Sequence, residues 1–594
     1  MEKCLPEFVN NPNPKIFLKE DYGVLDFETT NLDKGDPINE NNGIITACFG
    51  RQSESTGNFV YTVASGVGRG LERILREIEA CSFIVSHNGK FELGWLRRLG
   101  VEISQILVWD TMLAEYVLRG NRDGWGGLAL DECLRRRGFG HKEQLVNNLI
   151  KGGICPSQIP LKWLTNYCKR DVSQTQRLFI SQRKELFLSH QERVFYTKCL
   201  QIPVLTDIEF NGMQLDKTKV QELYDKYHKE LLEIDAELGK ITGGINPRSH
   251  QQMAEFIFKT LGFDEPTDWR GNPIRTAGGK CSTSKEVIGK LTATNKSQRR
   301  FLELQKRHQK LDDACSKYLE KFKLCCDENS GLLHARINQT ITKTGRYSST
   351  GKRYKTQFQN FSREFKPLFT TRRSGWFIGE ADESTLEFRA AVFFGQDNQG
   401  FKDVRERNDI HAYTASIIGC SRQDAKSHTF KPLYGGSSGT ERERAYYRAF
   451  KEKYRGIIQW QDQLVQTALR EKCITLPTGQ KFWFPNVVYQ RSGYINDHQK
   501  VRDYPVQYLA TAEIVPIALI YSWYALRKAK TFIVNTVHDS IVCEVHPDET
   551  ELFTKTLKYA MEVFPVLYMK KLYGIDFNVP LEAETKIGTH WGEK

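Results

Sequence analysis

The stretch VNTVHDSIVCEV, residues 534–545, constrains the fold of this chain more than any other. Its apolar and β-branched composition is typical of a buried strand. His538, Asp539 and Ser540 nevertheless stand in its middle, and burying a charge without a partner is costly. The rest of the sequence must therefore explain what Asp539 contacts.

A chain of 594 residues is too long for one hydrophobic core, so we expect several domains. No run reaches the ~18 uninterrupted apolar residues of a membrane span, and the N-terminus lacks the apolar core of a secretory signal. The 14 cysteines are scattered, without a CxxC pair. They predict reduced thiols, and hence a cytoplasmic protein without a membrane partner.

The net charge of +13 allows two interpretations. One is a soluble basic protein with a solvated lysine surface, and the other is a polyanion-binding protein. Basic segments at 297–310 and 342–355 mix cations with hydroxyl or aromatic residues, which are the usual donors to phosphate oxygens. They favour a nucleic acid as the partner.

The apolar pattern divides the chain into an α/β part and a part of mixed structure. Residues 1–187 alternate strand-like runs, such as YGVLDFETT and CSFIVSHN, with helical runs, which predicts an α/β domain. Residues 217–325 are rich in helix, with long amphipathic helices beginning near residues 220 and 297. A mixed α+β pattern follows from about residue 330 to the end.

Four acidic residues of the N-terminal part form a candidate metal site. Asp26 and Glu28 share one face of a strand, where two carboxylates need either a cation or exposure to solvent. Tyr167 and Asp171 share one face of a helix. With Glu92, the carboxylates could hold two divalent ions that clamp the reacting oxygens of a phosphodiester, while Tyr167 orients the water. Each piece alone is weak, because such pairs also occur by chance or on surfaces.

The ordered set resembles the 3′–5′ proofreading exonuclease of the DnaQ-like superfamily, which has an RNase H-like α/β fold. The resemblance lies in DFE at 26–28, HNGKFE at 87–92, WDTML at 109–113 and YCKRD at 167–171. The second motif normally ends in aspartate, whereas this chain has Glu92. The extra methylene moves the carboxylate by about 1–1.5 Å, which can cost ~100-fold in rate unless the backbone has adjusted.

Residues 421–436, SRQDAKSHTFKPLYGG, place two cations and two aromatic residues four positions apart. On one continuous helix, Arg422, Lys426, Phe430 and Tyr434 would form an oblique stripe. Such a stripe suits a polyphosphate at its cationic end and a sugar and base at its aromatic end. The alternative is a packing stripe whose cations reach solvent.

Pro432 interrupts this register. It has no N–H, and its ring clashes with the carbonyl of His428, so it should kink the helix. We expect a hinge between Phe430 and Tyr434, and the alternative is that the helix already ends there.

The register R-x3-K-x3-F-x3-Y-G resembles the fingers helix of family A DNA polymerases, the group of bacterial DNA polymerase I. Further motifs similar to those of this family follow in order along nearly the whole chain. They are TKTGRYSS (342–349), FQNF (358–361), EADESTLEFRA (380–390), DIH (409–411), YPVQYLATAE (504–513), VNTVHDSIVCEV (534–545) and VPLEAETKIGTHWGE (579–593).

The resemblance implies a proofreading exonuclease in residues 1–187, followed by an α+β right-hand polymerase domain in residues 188–594. Within the latter it places the thumb near 205–335, the palm near 336–400 and 490–594, and the fingers near 401–489.

The resemblance also implies roles for single residues. Asp382 and Asp539 would hold two Mg²⁺ ions, or Mn²⁺ in their place, for nucleotide transfer to a primer 3′-OH. It implies that Arg422, Lys426 and His411 bind the triphosphate, and that Lys426 also donates a proton to pyrophosphate. Phe430 would pack on the sugar, Tyr434 would border the insertion site, and Glu387 would be the gate against a ribose 2′-OH. The residues that would contact the primer–template are Arg346, Gln507, His538 and Asn360.

One further position departs from the family pattern. The family usually continues His-Asp-Glu, whereas Ser540 follows His538 and Asp539 here. Glu544 shares the face of Ser540, but four strand residues place it ~13 Å away, so it cannot replace the missing glutamate. We expect polymerisation to persist, and Ser540→Glu to be tolerated if the site keeps its usual shape.

The exonuclease motifs begin at residue 26, so we expect no 5′-nuclease domain, and the 217–325 segment lacks room for a long thumb insertion. This economy favours a phage replicative enzyme, with a bacterial or organellar polymerase as the competitor. The expected partners of this monomer are primer–template DNA, dNTPs and replisome proteins such as a helicase and a single-strand-binding protein.

Two alternatives stay open. A single-subunit RNA polymerase would lack both Glu387 and the exonuclease set. A nucleic-acid-binding scaffold, or a nuclease carrying a dead polymerase, would not need both Asp382 and Asp539.

Overall fold

The computed structural model describes residues 5–53, 55–267, 272–276, 278–351 and 358–593. Residues 352–355 of the predicted basic segment, and the side chain of Asn360, lie outside this set. Within it, one large apolar core contains residues from both the N-terminal and the C-terminal parts of the chain.

Five strands form a mixed sheet in the N-terminal part, which we call the N-terminal sheet. The first three strands of its spatial order are antiparallel, and the last three are parallel. That order is Phe59–Ser65, Ile44–Gln52, Tyr22–Thr29, Phe83–Ser86 and Val108–Asp110. The strands predicted in YGVLDFETT and CSFIVSHN are both present, because their apolar residues are buried in this sheet.

Helices surround the N-terminal sheet. One begins directly after the last strand, where the Asp110 carboxylate accepts hydrogen bonds from the backbone N–H groups of Met112 and Leu113 at 2.8 and 3.3 Å. The helices are Arg69–Glu79, Lys90–Arg98, Thr111–Arg119, Leu130–Arg136, Gln144–Lys151 and Leu161–Leu188.

The helix Glu192–Asn211 is buried almost throughout and packs against both parts of the chain. It contacts the helix Lys90–Arg98 on one side and the helix Val515–Leu526 on the other. The division predicted at residues 187 and 188 falls at the end of the preceding helix, which stops at Leu188. Because the core continues across it, the division stays a prediction.

Two long helices are present where the sequence predicted them. In their shared core, Leu231 and Leu238 of the first helix cluster with Phe301, Leu304 and Leu311 of the second. The first helix is Lys217–Thr242, and the second is a helical run made of Lys296–Asp313, the π-helical turn Ala314–Leu319 and Glu320–Cys325.

Four antiparallel strands form the C-terminal sheet. Its spatial order is Phe532–Val537, Ser540–Val545, Phe377–Glu383 and Ala583–Gly588. A Cβ at Gly379 would lie 2.5 Å from the Phe553 ring, so glycine lets the helix Thr550–Glu562 pack closely on one face of the sheet. Since side chains alternate along a strand, Glu380 and Asp382 point to the opposite face.

The remaining elements of the C-terminal part are short sheets and helices. The short strand pairings join Met213–Leu215 to Phe369–Thr370 on one side and to Leu332–Leu333 on the other, Ala335–Asn338 to Ser348–Gly351, and Cys473–Thr475 to Lys481–Trp483. The helices are Leu386–Gly395, Asn398–Arg405, Ile410–Ile418, Arg422–Thr429, Glu441–Lys453, Arg455–Glu471, His498–Gln507, Val515–Leu526, Thr550–Glu562 and Phe564–Tyr573.

The stretch His498–Leu526 is the one helix among the described residues that is long and apolar enough to cross a membrane. A π-helical turn, Tyr508–Ile514, joins its two α-helical halves. The most apolar part of the stretch is 94% buried inside the protein. Its composition is therefore explained by packing in the core.

Glu209 connects the buried helix Glu192–Asn211 to its neighbours. Its carboxylate accepts hydrogen bonds from Lys90 Nζ, from Arg336 Nη1 at 2.7 Å and from the Ile337 backbone N–H at 2.7 Å. Burial favours a raised pKa, but the charges of Lys90 and Arg336 outweigh it and lower the pKa of Glu209. The carboxylate therefore stays ionised and pairs two partly or fully buried cations.

We expect Glu209→Ala to lower the free energy of unfolding by about 3–5 kcal/mol, because it removes the ion-pair partner of the buried Lys90 and leaves Arg336 with Asp36 alone. A lowered folded-state pKa gives stability that is present above the unfolded-state pKa of about 4.3 and is lost as pH falls through the folded-state pKa. Urea unfolding followed by circular dichroism at pH 7 and pH 3 measures the difference from the wild type.

Glu237→Ala is the matched control, since it removes an exposed pair with Arg300 at 2.8 Å. Solvent screens such an exposed pair, so its loss should change stability little. Equal losses in the two variants at pH 7, or a Glu209→Ala loss that grows towards pH 3, would contradict the assigned role of Glu209.

Candidate active sites

The C-terminal sheet brings Asp382 and Asp539 together. Asp382 lies near the end of the strand Phe377–Glu383, directly opposite Ser540 in the neighbouring strand. Asp539 lies in the two-residue turn before Ser540, and His538 has the positive φ, 56°, that such a turn needs. The two carboxyl groups lie close enough to interact directly. We call them the C-terminal carboxylate pair.

The electrostatics of this pair are those of a cation site. Loss of solvent raises the pKa of Asp382 to about 7, and the charges of Asp539 and Glu380 add to the rise. Burial also raises the pKa of Asp539. Two carboxylates in contact cannot both stay ionised without a compensating charge, so the pair binds a proton or a cation. Its oxygen atoms are ligands that hard divalent cations prefer.

Three residues predicted from separate motifs meet beside this pair. The carboxylate of Glu387 contacts both the Arg346 guanidinium and the Tyr434 hydroxyl. Arg346 also donates a hydrogen bond to Thr511 Oγ1 at 2.8 Å. Burial raises the pKa of Glu387, and the charge of Arg346 opposes that rise. Glu387 is therefore held in place by a cation on one side and a phenol on the other.

The prediction that one helix runs through the cation–aromatic stripe and is kinked at Pro432 is wrong. The helix Arg422–Thr429 ends before Phe430, and Lys431–Tyr434 form a separate 3₁₀ turn. Pro432 is the physical reason, because it cannot donate to the carbonyl of His428 and disfavours helical backbone in the residue before it. The alternative that the helix ends at this point is therefore correct.

The members of the stripe still lie near one another. Arg422 pairs with Asp409 at 2.6 Å, and Lys426 is exposed to solvent. The rings of His411 and Phe430 meet edge to face at 5.3 Å. Burial, together with the charges of Arg422 and Lys426, lowers the pKa of His411. This group forms an electropositive surface with an aromatic border.

Residues predicted to contact DNA lie around the same sheet. Gln507 is half-buried and donates a hydrogen bond to Asp503 Oδ1 at 2.6 Å. His538 is exposed, and burial of part of its ring together with the charges of Arg346 and Lys366 lowers its pKa. Asn360 belongs to a 3₁₀ turn, but its side chain lies outside the described residues.

Sequence reasoning missed Gln359, which braces the turn that carries Asp539. Its amide Nε2 donates to the carbonyl of Thr536 at 2.6 Å, and its Oε1 accepts from the His538 N–H at 3.3 Å. It also missed Glu380, although alternation in GEADE places that residue on the face of Asp382.

The N-terminal sheet and the helix Leu161–Leu188 form a second acidic site. Ligand atoms of Asp26, Glu28 and Cys168 lie within 4.8 Å of one another, and Cys168 Sγ donates to Asp26 Oδ2 at 3.2 Å. Glu92 and Asp171 lie outside that tight group. Burial raises the pKa of both, to about 7 for Asp171, and the charge of Asp26 contributes to each rise.

This N-terminal cluster, Asp26, Glu28, Glu92 and Asp171, also fits divalent metal ions. Among the described residues, no hydrogen-bond donor reaches the buried atoms Glu92 Oε2 and Asp171 Oδ1. Burial and the charges of Asp26 and Asp171 raise the pKa of Glu28 well above its usual value. These four crowded carboxylates have too little positive charge around them, and their oxygen atoms are the ligands that two hard divalent cations require.

Lys142 is the residue of this site that the sequence did not reveal. Its ammonium forms an ion pair with Asp171 and lies 4.8 Å from the centre of the Tyr167 ring. These contacts raise the pKa of Lys142 despite its burial. Lys142 lies in the loop before the helix Gln144–Lys151, where no motif marked it. It supplies part of the missing positive charge and fixes Tyr167 beside Asp171.

Sequence comparison relates this chain to known DNA polymerases. Residues 217–593 match the sequence profile of DNA polymerase family A. DNA polymerase I of Chloroflexus aurantiacus is 25% identical over 540 residues, which cover 86% of this chain and 54% of the relative. DNA polymerase I of Synechocystis is 24% identical over 552 residues, covering 86% and 53%. The chain thus spans about half the length of these curated relatives.

The fold is similar to a solved structure of the POL domain of Pol1 from M. smegmatis in complex with DNA primer-template and dNTP. The TM-score is 0.76 with 18% sequence identity, and the match covers 96% of each chain. This likeness shows the fold, and the family profile covers more than half of the sequence. The chain belongs to the family A DNA polymerases.

Proposed function

We propose that this protein is a template-directed DNA polymerase that adds dNTPs to a primer 3′ end and proofreads with a 3′–5′ exonuclease. The observation that carries the proposal is the contact between Asp382 and Asp539 in a family A chain. Two like charges held together at the end of a packed sheet are costly to the fold. A binding site for the cations that promote phosphoryl transfer would explain why the fold holds these two carboxylates together despite the cost.

The chain's own residues define the polymerase reaction. Asp382 and Asp539 would hold two Mg²⁺ ions, with Mn²⁺ as a substitute, which when bound neutralise phosphate charge and lower the pKa of the primer 3′-OH. Arg422 and Lys426 bind the triphosphate, together with His411. Lys426 is also our candidate for the proton donor to pyrophosphate.

Substrate shape is set by the group around Glu387. Its carboxylate is fixed by Arg346 and Tyr434, so it cannot easily move aside for a ribose 2′-OH. Phe430 packs on the sugar, and Tyr434 borders the insertion site. Primer and template contact Arg346 and three further residues, which are Gln507, His538 and Asn360.

The exonuclease is assigned to the N-terminal cluster. Asp26, Glu28, Glu92 and Asp171 would hold two divalent ions that activate water and stabilise the leaving 3′-oxygen. Tyr167 orients the water, and its contact with Lys142 supports that role. Glu92 keeps the charge that the usual aspartate would carry.

The proposal also includes the domain organisation of the chain and its DNA partner. Residues 1–187 form the exonuclease, and residues 188–594 form the polymerase, with the two long helices of 217–325 in the thumb. The net charge of +13 suits primer–template DNA as the partner. A phage origin, a cytoplasmic location, a monomeric state and replisome partners such as a helicase stay predictions.

The two activities should be separable by single substitutions. Asp382→Asn should reduce primer extension by about a thousandfold or more, because it removes a charge that acts on the reacting groups, and should leave primer degradation intact. Asp26→Asn should have the reverse effect. A labelled primer–template incubated with Mg²⁺ measures extension with dNTPs and degradation without them.

Asp576→Asn is the control, since its side chain is 80% exposed and far from either cluster in sequence. It should leave both rates unchanged. Wild-type protein that neither extends nor degrades the primer would overturn the proposed function. Loss of both activities in Asp382→Asn would instead overturn the separation of the two sites.

Glu387→Ala should admit ribonucleotides. Removing the carboxylate opens space at the 2′ position and frees Arg346 and Tyr434, so discrimination should fall by about 10–200-fold, the range expected of steric pockets. The measurement is the ratio of kcat/KM for dATP and ATP on one primer–template. Glu441→Ala, an exposed glutamate at a helix start, should keep the wild-type ratio. An unchanged ratio in Glu387→Ala would refute the gate.

A further inference from the structure

Ser540 hydrogen-bonds to an acidic side chain on the neighbouring strand. Its hydroxyl has one proton, which can be donated to Glu380 Oε1 at 3.4 Å or to the carbonyl of Val537 at 3.1 Å. The family pattern usually has a glutamate at the position of Ser540. The structure therefore places a carboxylate beside the position where the sequence lacks one.

The sheet geometry explains this contact. Asp382 lies directly opposite Ser540, so Glu380 is the diagonal neighbour of Ser540 on the same face. Diagonal neighbours in antiparallel strands lie about 7–8 Å apart, which a glutamate side chain can span. Glu380 and Asp382 are two residues apart in the same strand and therefore point to the same face, which places the charge of Glu380 beside the C-terminal carboxylate pair.

Glu380 is held through one of its two oxygen atoms. Oε1 accepts from Lys366 Nζ at 2.9 Å and from Trp591 Nε1 at 3.1 Å, in addition to Ser540. Among the described residues, no donor reaches Oε2, and the side chain is 16% exposed. The carboxylate is thus fixed in direction while its second oxygen stays available.

We propose that Glu380 is a positioning residue of the polymerase site, supplying from the adjacent strand the carboxylate that Ser540 lacks. The inference rests on the proposed polymerase function. The negative charge of Glu380 adds to the electrostatic field that draws divalent cations to Asp382 and Asp539. The expectation that Ser540→Glu alone is tolerated changes accordingly, because a second carboxylate beside Glu380 would repel it.

Two alternative explanations of the Glu380 contacts predict different outcomes for variants of neighbouring residues. Glu380 could serve only to anchor Trp591, in which case Trp591→Phe, which loses the indole N–H, would reproduce its loss. Glu584 could supply the charge instead, since it lies opposite Asp382 on the other neighbouring strand. However, Glu584 is 64% exposed and pairs with Lys586 at 2.9 Å.

A charge-exchange experiment tests the proposal in the full chain. The four proteins are the starting protein, Glu380→Ser, Ser540→Glu and the double variant, all carrying Asp26→Asn to silence the N-terminal cluster. One readout is primer extension, as kcat and KM for dNTP. The other is Mn²⁺ affinity, measured by electron paramagnetic resonance with a dideoxy-terminated primer–template and dNTP, so that no reaction occurs.

We expect Glu380→Ser to lower kcat and to weaken Mn²⁺ binding. Ser540→Glu should lower kcat by crowding two carboxylates without weakening Mn²⁺ binding, and the double variant should recover both the kcat and the Mn²⁺ affinity of the starting protein. The recovery should be about tenfold or more relative to the product of the single effects, as for residues in direct contact. Glu584→Ser combined with Ser540→Glu should show no recovery. Independent effects at 380 and 540, or recovery with Glu584→Ser instead, would overturn the proposal.

Folding is checked separately, because Glu380 also holds Trp591 and Lys366. Circular dichroism and thermal unfolding compare each variant with Trp591→Phe. If Glu380→Ser unfolds, Glu380→Gln keeps the shape and loses only the charge, and it should still weaken Mn²⁺ binding. Normal Mn²⁺ affinity and kcat in a folded Glu380→Gln, or the same losses in Trp591→Phe, would refute the role. A starting protein without primer extension would refute the proposed function instead.

Discussion

The repulsion between Asp382 and Asp539 is the constraint on which the polymerase half of the structure depends. Both side chains project from a sheet whose other face is packed against the helix Thr550–Glu562, with Gly379 allowing the close contact. The packed face offsets the cost of crowding two charges on the open face. Because the strands cannot move apart without losing that packing, the charges stay together and keep their affinity for a cation.

The N-terminal cluster uses the same physical principle with different elements. Here a strand supplies Asp26 and Glu28, and a long helix supplies Tyr167 and Asp171. In both sites a lysine supplies part of the compensating charge, Lys142 at Asp171 and Lys366 at Glu380. At the N-terminal cluster, Glu92 Oε2 and Asp171 Oδ1 still have no donor among the described residues, so the negative charge there is only partly balanced. Partial compensation lowers the cost of crowding these carboxylates and still leaves negative charge that attracts cations.

Local periodicity made part of these sites predictable from the sequence. Alternation along a strand placed Asp26 beside Glu28, and strand composition around Asp539 predicted a buried β segment. The four-residue spacing wrongly predicted that the helix continues to Tyr434. Pro432 has no N–H to donate, so the helix ends before it despite the spacing of the four side chains. Lys142 and Gln359 act through contacts between distant segments, for which a single sequence has no signal, whereas strand alternation placed Glu380 on the face of Asp382 but not its contact with Ser540. Long-range pairing, rather than local preference, decides which charges meet.

The departures at Glu92 and Ser540 differ in physical kind. Glu92 keeps a carboxylate at its position and changes only its reach, within a buried first helical turn that limits adjustment. Ser540 loses the carboxylate, and Glu380 restores the charge from the adjacent strand. Cations respond to the summed field of nearby charges, which falls off gradually with distance. A carboxylate can therefore move between diagonal neighbours of a sheet at less cost than it can lose its charge, provided that no second carboxylate occupies the same space.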